Sequence, residues 1–234
     1  MVKKSKEEWK IYENVFDNFT LNVIYKLMSQ KIIEGIQSPI KIGKEANIFS
    51  AESSQGKKII KIYRLESCNF NKMYQYIKSD PRFIDIKKQR RQVIFNWVGR
   101  EFRNLLAARN SGVRVPTPIT HMKNVIILEF IGDKNPAPQL KDMPPRNADD
   151  FYEEIIESIR LLYKKGKIVH ADISEYNILN YREHPVFIDF SQATNVTDSM
   201  ALSYLERDLG NLERYFRKLG KEMDAKKAMK EIIK

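Results

Sequence analysis

The residues with the most telling chemistry lie between His170 and Asp189. His170-Ala-Asp172-Ile-Ser-Glu-Tyr-Asn177 sets an acid five residues before an amide, and Val186-Phe-Ile-Asp189 sets a second acid at the end of an apolar run. Phosphoryl transfer needs such a set brought close together. Asp172 can accept or orient the proton of a nucleophile. Asn177 offers an amide oxygen and Asp189 a carboxylate to Mg2+, a hard cation that prefers oxygen and bridges phosphates. His170 fits a loop-ordering hydrogen bond better than a general base. The plain alternative is that Asp172 caps a turn and Asp189 ends a strand.

Two further parts lie upstream. Lys61 sits in Lys58-Ile-Ile-Lys-Ile-Tyr-Arg64, a strand-like run where an unpaired lysine would be costly to bury. A phosphate and a carboxylate would both satisfy it, and Glu101 in the next helical stretch is the best partner. Period-two alternation alone leaves open that Lys61 points outward from an edge strand. The turn Ile42-Gly43-Lys44-Glu45-Ala46-Asn47 offers backbone N–H groups and Lys44 to phosphates. It is neither G-x-G-x-x-G nor a Walker A sequence.

The elements that must position these groups follow from periodicity. Asn14–Glu34 reads as two short helices broken near Asp17–Thr20, with Asn18 or Thr20 capping the second. Gln37–Ile42, Asn47–Glu52 and Lys58–Arg64 read as strands. Ser67–Asp85 is a polar stretch, and Lys87–Asn110 a long helix that Gly112 ends. Val125–Ile131 is an apolar strand, followed by a connection marked by Pro136, Pro138, Pro144 and Pro145. Then come a helix over Ala148–Lys165 with Gly166 at its end, and short strands at Ile168–His170, Ile178–Tyr181 and Val186–Phe190. Helices near Met200–Leu219 and Lys221–Lys234 close the chain.

The chain has 234 residues, 42% of them hydrophobic, which excludes global disorder. Its net charge of +11 is compatible with phosphate-rich partners, and equally with plain solubility. Lys87, Lys88, Arg90, Arg91, Arg100, Arg103, Arg109 and Arg114 form a basic belt along the long helix, to be read as an RNA contact or as a solvated face. Cys68 is the only cysteine, which excludes disulfide scaffolds and cysteine-based zinc sites. The charged N-terminus lacks an apolar core, and no apolar run is long enough to span a membrane, so a cytoplasmic protein is expected.

Together these residues resemble the RIO family of atypical protein kinases, type-one subfamily. The resemblance runs from about Phe16 to Phe216 through Gly43-Lys-Glu-Ala-Asn-Ile-Phe, Ile60-Lys-Ile-Tyr-Arg, Arg100-Glu-Phe-Arg-Asn-Leu and Gly112-Val-Arg-Val-Pro. It continues through Leu128-Glu-Phe-Ile-Gly, the His170–Leu179 stretch, Ile188-Asp-Phe-Ser-Gln-Ala and Arg207-Asp208. It implies an α+β, two-lobed kinase-like fold with an N-terminal sheet lobe, a mainly helical C-terminal lobe and no long activation segment. Residues 1–36 would be a helical extension, 37–131 the N-lobe and 132–234 the C-lobe. It implies ATP with Mg2+, or Mn2+ in its place, with Gly43, Lys44, Lys61 and Glu101 at the phosphates. Backbone groups of Glu129 and Ile131 would hold adenine, Asp172 would be the catalytic acceptor, and Asn177 and Asp189 would bind metal. Asp189 would also accept phosphate to give a phospho-aspartate, beside autophosphorylation on serine. The implied partners are the small ribosomal subunit precursor and its RNA, with no DNA and no membrane, and an archaeal origin. Two departures stand out: Ala171 replaces the usual glycine between His170 and Asp172, and Lys41-Ile42 replace the small hydroxyl residues before Gly43. The competing readings are a small-molecule kinase of the aminoglycoside or choline type, and a non-catalytic RNA-binding assembly factor with a kinase-like fold.

Overall fold

The computed structural model describes residues 16–78, 80 and 89–234. A five-stranded antiparallel sheet is built from β1 (Gly35–Ile42), β2 (Ala46–Glu52), β3 (Lys58–Tyr63), β4 (Pro118–Met122) and β5 (Val125–Glu129), in the order β1-β2-β3-β5-β4. β3 is therefore central, and its alternation decides which face each residue serves. Ile60 and Ile62 pack with Val125 and Ile127 into a core on one face of the sheet. Tyr63, Ile126 and Leu128 join the larger core on the other. Lys61 falls on the Tyr63 side, so the outward, edge-strand reading is excluded.

Helix α1 (Asn18–Ser29) covers the first face with Leu21, Val23, Ile24 and Leu27. Each such side chain contributes about 1.5–3 kcal/mol by burial. The cap of α1 is Asp17, not Asn18 or Thr20. Its carboxylate accepts from the Thr20 N–H at 2.9 Å and the Thr20 hydroxyl at 2.8 Å. Thr20 is turned inward, where its hydroxyl accepts from Asn124 Nδ2 at 2.9 Å. The start of the expected first helix lies outside the described residues.

The polar stretch after β3 contains a helix, α2 (Phe70–Lys78), whose Met73 and Ile77 are buried. Among the described residues the long helix α3 spans Arg90–Asn110. Lys87 and Lys88, expected in it, lie outside them. Its buried face runs through Val93, Ile94, Trp97, Val98, Glu101, Asn104, Leu105 and Ala108. Gly112 follows the Ser111 cap with φ +93°, the left-handed turn that glycine tolerates best. The edge strand β4 was not foreseen. Its first residue is Pro118, a position where a missing N–H costs no ladder bond.

The C-terminal half holds α4 (Ala148–Lys164), β6 (Ile168–Val169), β7 (Ile178–Tyr181), β8 (His184–Phe187), β9 (Thr194–Asn195), α5 (Ala201–Lys218) and α6 (Ala225–Ile233). β6 pairs β9, and β7 pairs β8 through a hairpin whose Arg182 and Glu183 both have positive φ. The strand expected over Val186–Phe190 stops at Phe187. Ile188 N–H leaves the ladder for the Asn177 carbonyl at 3.0 Å, and Asp189 turns at φ 64°. These two small ladders hold both ends of the 170–177 loop and both ends of the Asp189 turn. Among the described residues no helix is long and apolar enough to cross a membrane.

Candidate active site

Central β3 presents Lys61 to α3 and to the turn after β8. Lys61 Nζ lies 2.7 Å from Glu101 Oε1 and 3.0 Å from Asp189 Oδ1, so one ammonium joins both halves of the molecule. Lys61 and Glu101 are buried, while the Asp189 side chain is 38% exposed. Tyr63, two residues along the same strand face, donates its hydroxyl to Glu101 Oε2 at 2.6 Å. Both Glu101 oxygens are thereby satisfied. Burial disfavours the Lys61 ammonium, but the Asp189 and Glu101 carboxylates outweigh it and hold the pKa well above the usual lysine range. Burial pushes the Glu101 carboxyl up despite Lys61. Burial pushes Asp189 up as well, yet Lys61 and the Ser191 hydroxyl, which donates at 2.8 Å, bring it down to about 2.

Asp172 and Asn177 come together on the loop between β6 and β7. Asn177 Nδ2 donates to the Asp172 carbonyl at 2.8 Å and to Asp172 Oδ2 at 3.1 Å. Gln192 Nε2 adds a third bond, to Asp172 Oδ2 at 3.0 Å. Burial, and then the negative charge of Asp189, raise the Asp172 carboxyl, while Lys72 and Arg207 act against them. A carboxylate with a raised pKa is a better proton acceptor than an ordinary one. His170 donates from Nε2 to the Ile188 carbonyl at 3.1 Å and packs 4.5 Å from the Phe190 ring. Burial lowers its pKa to about 4, so it is neutral at pH 7 and orders the loop.

Ala171 takes up the conformation that glycine favours. It adopts the left-handed backbone itself, at φ 64°. That conformation costs an L-residue about 1–2 kcal/mol and needs restraint. Buried Asp208 supplies it from α5, accepting from Ala171 N–H at 2.9 Å and Ile173 N–H at 3.0 Å, while Arg207 donates to the Ala171 carbonyl. Asn104 of α3 ties down the other loop, donating to the Phe190 carbonyl at 2.9 Å and the Ala193 carbonyl at 2.8 Å. Tyr63, Ser191, Gln192 and Asn104 were not singled out from the sequence. Only Tyr63 carried a local signal, its place on the same strand face as Lys61.

The Gly43 turn is tight: Gly43 N–H donates to the Ala46 carbonyl at 3.1 Å, and a Cβ at Gly43 would lie 2.7 Å from that same oxygen. Lys41, Ile42 and Lys44 are exposed. At the end of β5 the Glu129 side chain turns away into a network with Arg114, at 2.6 and 2.9 Å, and Thr117. Burial raises the Glu129 carboxyl, but those donors bring it to about 2. The Ile131 carbonyl accepts from Ala137 N–H at 2.9 Å, so what Ile131 can offer a ligand is its N–H.

The basic belt is not continuous. Arg100 is fully buried and bound to Asp80 at 3.1 Å, because its position on α3 faces the core beside Glu101. Arg90 is bound to the Leu65 carbonyl at 2.8 Å and Arg114 to Glu129, yet both stay exposed, as do Arg91, Arg103 and Arg109.

Comparison with known proteins agrees with this arrangement. The model of the RIO domain family matches residues 47–229. The chain is 38% identical over 217 residues to the RIO-type serine/threonine-protein kinase Rio1 of Methanocaldococcus jannaschii, covering 92% of this chain and 74% of that one. It is 37% identical over 223 residues to its counterpart in Haloferax volcanii, covering 94% and 77%. Among solved structures, the Rio2 kinase–ADP/Mg2+–phosphoaspartate complex from Chaetomium thermophilum shares the fold, with a TM-score of 0.67 and 21% identity over 88% of this chain and 64% of that one. Lobes, strand lysine, catalytic loop and sequence kinship all agree: the chain belongs to the RIO family, as a Rio1-type atypical serine/threonine kinase.

Proposed function

We propose that this kinase uses ATP with Mg2+ to phosphorylate itself on serine and to form a transient phospho-aspartate at Asp189, and that it acts as an ATPase switch on the small ribosomal subunit precursor in the cytoplasm. The observation that carries the reading is the Lys61 ammonium joining Glu101 and Asp189, 2.7 and 3.0 Å away. That contact ties the phosphate-side lysine to the metal-side acid. The donor set suits Mg2+: the Asn177 amide nitrogen is spent on Asp172, which leaves its Oδ1 as an acceptor, and the Asp189 Oδ2 is not used by Lys61 or Ser191. When bound, the cation would neutralise charge on the phosphates.

The residues of the chain then divide the work. The Gly43 turn and Lys44 cradle phosphates, Lys61 pairs with them, and the Glu129 and Ile131 backbone holds adenine. Asp172 orients the acceptor hydroxyl and takes its proton as the oxygen attacks the γ-phosphorus. When Asp189 is the acceptor, its carboxylate oxygen attacks the γ-phosphorus. The bond to the β-phosphate oxygen breaks, ADP leaves with the electron pair, and water later cleaves the acyl phosphate. Only 11 residues, 190–200, separate Asp189 from α5, which leaves little platform for a peptide. Slow hydrolysis with weak phosphorylation of generic proteins is the expected outcome.

Enzyme labelled from γ-labelled ATP and treated with hydroxylamine tests this. Label removed by hydroxylamine and absent from Asp189→Asn supports the acyl phosphate. Label that survives and persists in Asp189→Asn places it on a hydroxyl instead. Rapid phosphorylation of many unrelated peptides would refute the platform argument.

A further inference from the structure

Helix α2, with Asp80 beyond it, lies between β3 and α3 and belongs to neither catalytic loop, yet it reaches both. Met73 and Ile77 anchor it in the core. One line of contact runs from Tyr76. Its ring stacks on Tyr204 of α5 with centroids 6.0 Å apart and packs on Trp97 of α3 at 5.9 Å. The Arg207 guanidinium sits 5.1 Å from the Tyr204 ring and donates to the Ala171 carbonyl, immediately before Asp172. A second line runs from Asp80, which is buried and bound to Arg100 Nε at 3.1 Å. Arg100 Nη1 donates to the Ser191 carbonyl at 3.4 Å, and the Ser191 hydroxyl donates to Asp189 Oδ1 at 2.8 Å. Arg100 also lies 5.5 Å from the Tyr76 ring, so the two lines share a side chain.

We propose that Tyr76 of α2 and the nearby Asp80 are positioning residues of the kinase: Tyr76, through Tyr204 and Arg207, sets the loop of Asp172, and Asp80, through Arg100, sets the turn of Asp189. The need for it is local. Ala171 and Asp189 both hold left-handed backbone, at φ 64° each, which a residue with a Cβ keeps only when its surroundings over-determine it. Asp208 restrains Ala171 from the N–H side, and Arg207 is the restraint on its carbonyl side. A ring stacked on the Tyr204–Arg207 pair limits the places that guanidinium can occupy. The carboxylates of Asp172 and Asp189 serve one reacting phosphate, so a small displacement of either loop is felt as lost rate. Tyr76 lies in α2 and Asp80 four residues further along the chain, so the two lines start close together and set both acids.

This inference rests on the phosphoryl-transfer reading, and its test separates the two. Tyr76→Leu and Tyr204→Leu remove the rings but keep apolar cover, Tyr76→Phe and Tyr204→Phe keep the rings, and Asp80→Asn removes the charge that holds Arg100. ATP turnover, affinity for a fluorescent ADP analogue and thermal midpoint are measured on each. The Leu variants and Asp80→Asn should lose about 10- to 100-fold in kcat, with ADP affinity within about twofold of the parent. The Phe variants should recover most of the rate. Tyr76→Leu combined with Tyr204→Leu should cost no more than either alone, since both break one line. Amide hydrogen exchange without nucleotide should show lost protection at Ala171 and Ile173 in Tyr76→Leu. Unchanged kcat in the Leu variants, or loss of ADP affinity in step with kcat, would overturn the proposal. Unchanged exchange at Ala171 and Ile173 would overturn it too, even in an enzyme without measurable turnover. A parent enzyme that fails to turn over ATP but shows the exchange change would refute the activity and leave the positioning contact standing.

Discussion

Breaking the Lys61–Glu101 pair tests the site at its most buried point. At 2.7 Å and an effective dielectric of about 20, the two charges attract by roughly 6 kcal/mol. Desolvation offsets several kcal/mol of that, so the informative quantity is the cost of removing one partner, about 3–5 kcal/mol. Glu101→Gln leaves Lys61 with Asp189 alone, so its cost should sit at the lower end. Lys61→Met leaves a buried carboxylate held only by the Tyr63 hydroxyl, 2.6 Å away, and should cost more. At roughly 2–4 °C per kcal/mol for a chain of this size, the midpoints should fall by about 6–20 °C. The sign of the pH dependence is diagnostic. Burial already raises the Glu101 carboxyl, and loss of Lys61 raises it further. A carboxyl whose folded pKa exceeds its unfolded value destabilises as pH rises through the folded pKa. Lys61→Met should therefore be hurt more at about pH 8 than at about pH 5. Urea unfolding of both single variants and the double variant gives the coupling. Additive losses, or a Lys61→Met penalty independent of pH, would refute the buried-pair argument.

Three further outcomes are expected. Asp189→Asn should keep part of its ADP affinity and lose Mg2+-dependent turnover, because a neutral amide is a poorer ligand for a hard cation; turnover near that of the parent refutes the metal role. His170 folds with a pKa of about 4 against about 6.5 unfolded, so it should cost stability as pH falls between those values, about 3 kcal/mol in all; a His170→Phe variant with the same acid sensitivity as the parent would refute this. If Arg91, Arg103 and Arg109 touch ribosomal RNA, each neutralisation should flatten the log–log salt dependence of binding by roughly 0.7–0.9, as measured on small-subunit particles; an unchanged slope and affinity would make this face merely solvated.

What the sequence determined by itself was local. Lys58–Tyr63 and Val125–Glu129 are short apolar runs legible as strands, although which face each residue serves came only from the ladders. The Asp172–Asn177 spacing was legible too, because a short loop keeps its own residues together. Helix α2 was missed in the sequence: Phe70, Met73, Tyr74 and Ile77 recur at helical spacing, but the polar residues between them hid it. The tertiary structure decided the rest. Asp208 reaches Ala171 across 37 residues of chain, Asn104 reaches Phe190 across 86, and Lys61 reaches Asp189 across 128. No pattern along the chain encodes such pairings, because they depend on where helices pack once the core has formed. Arg100 shows the reverse: by composition it belongs to a basic surface, and only the rotation of α3 against the sheet turns it inward to Asp80. A charge can be counted in a sequence, but the face it occupies is set by packing.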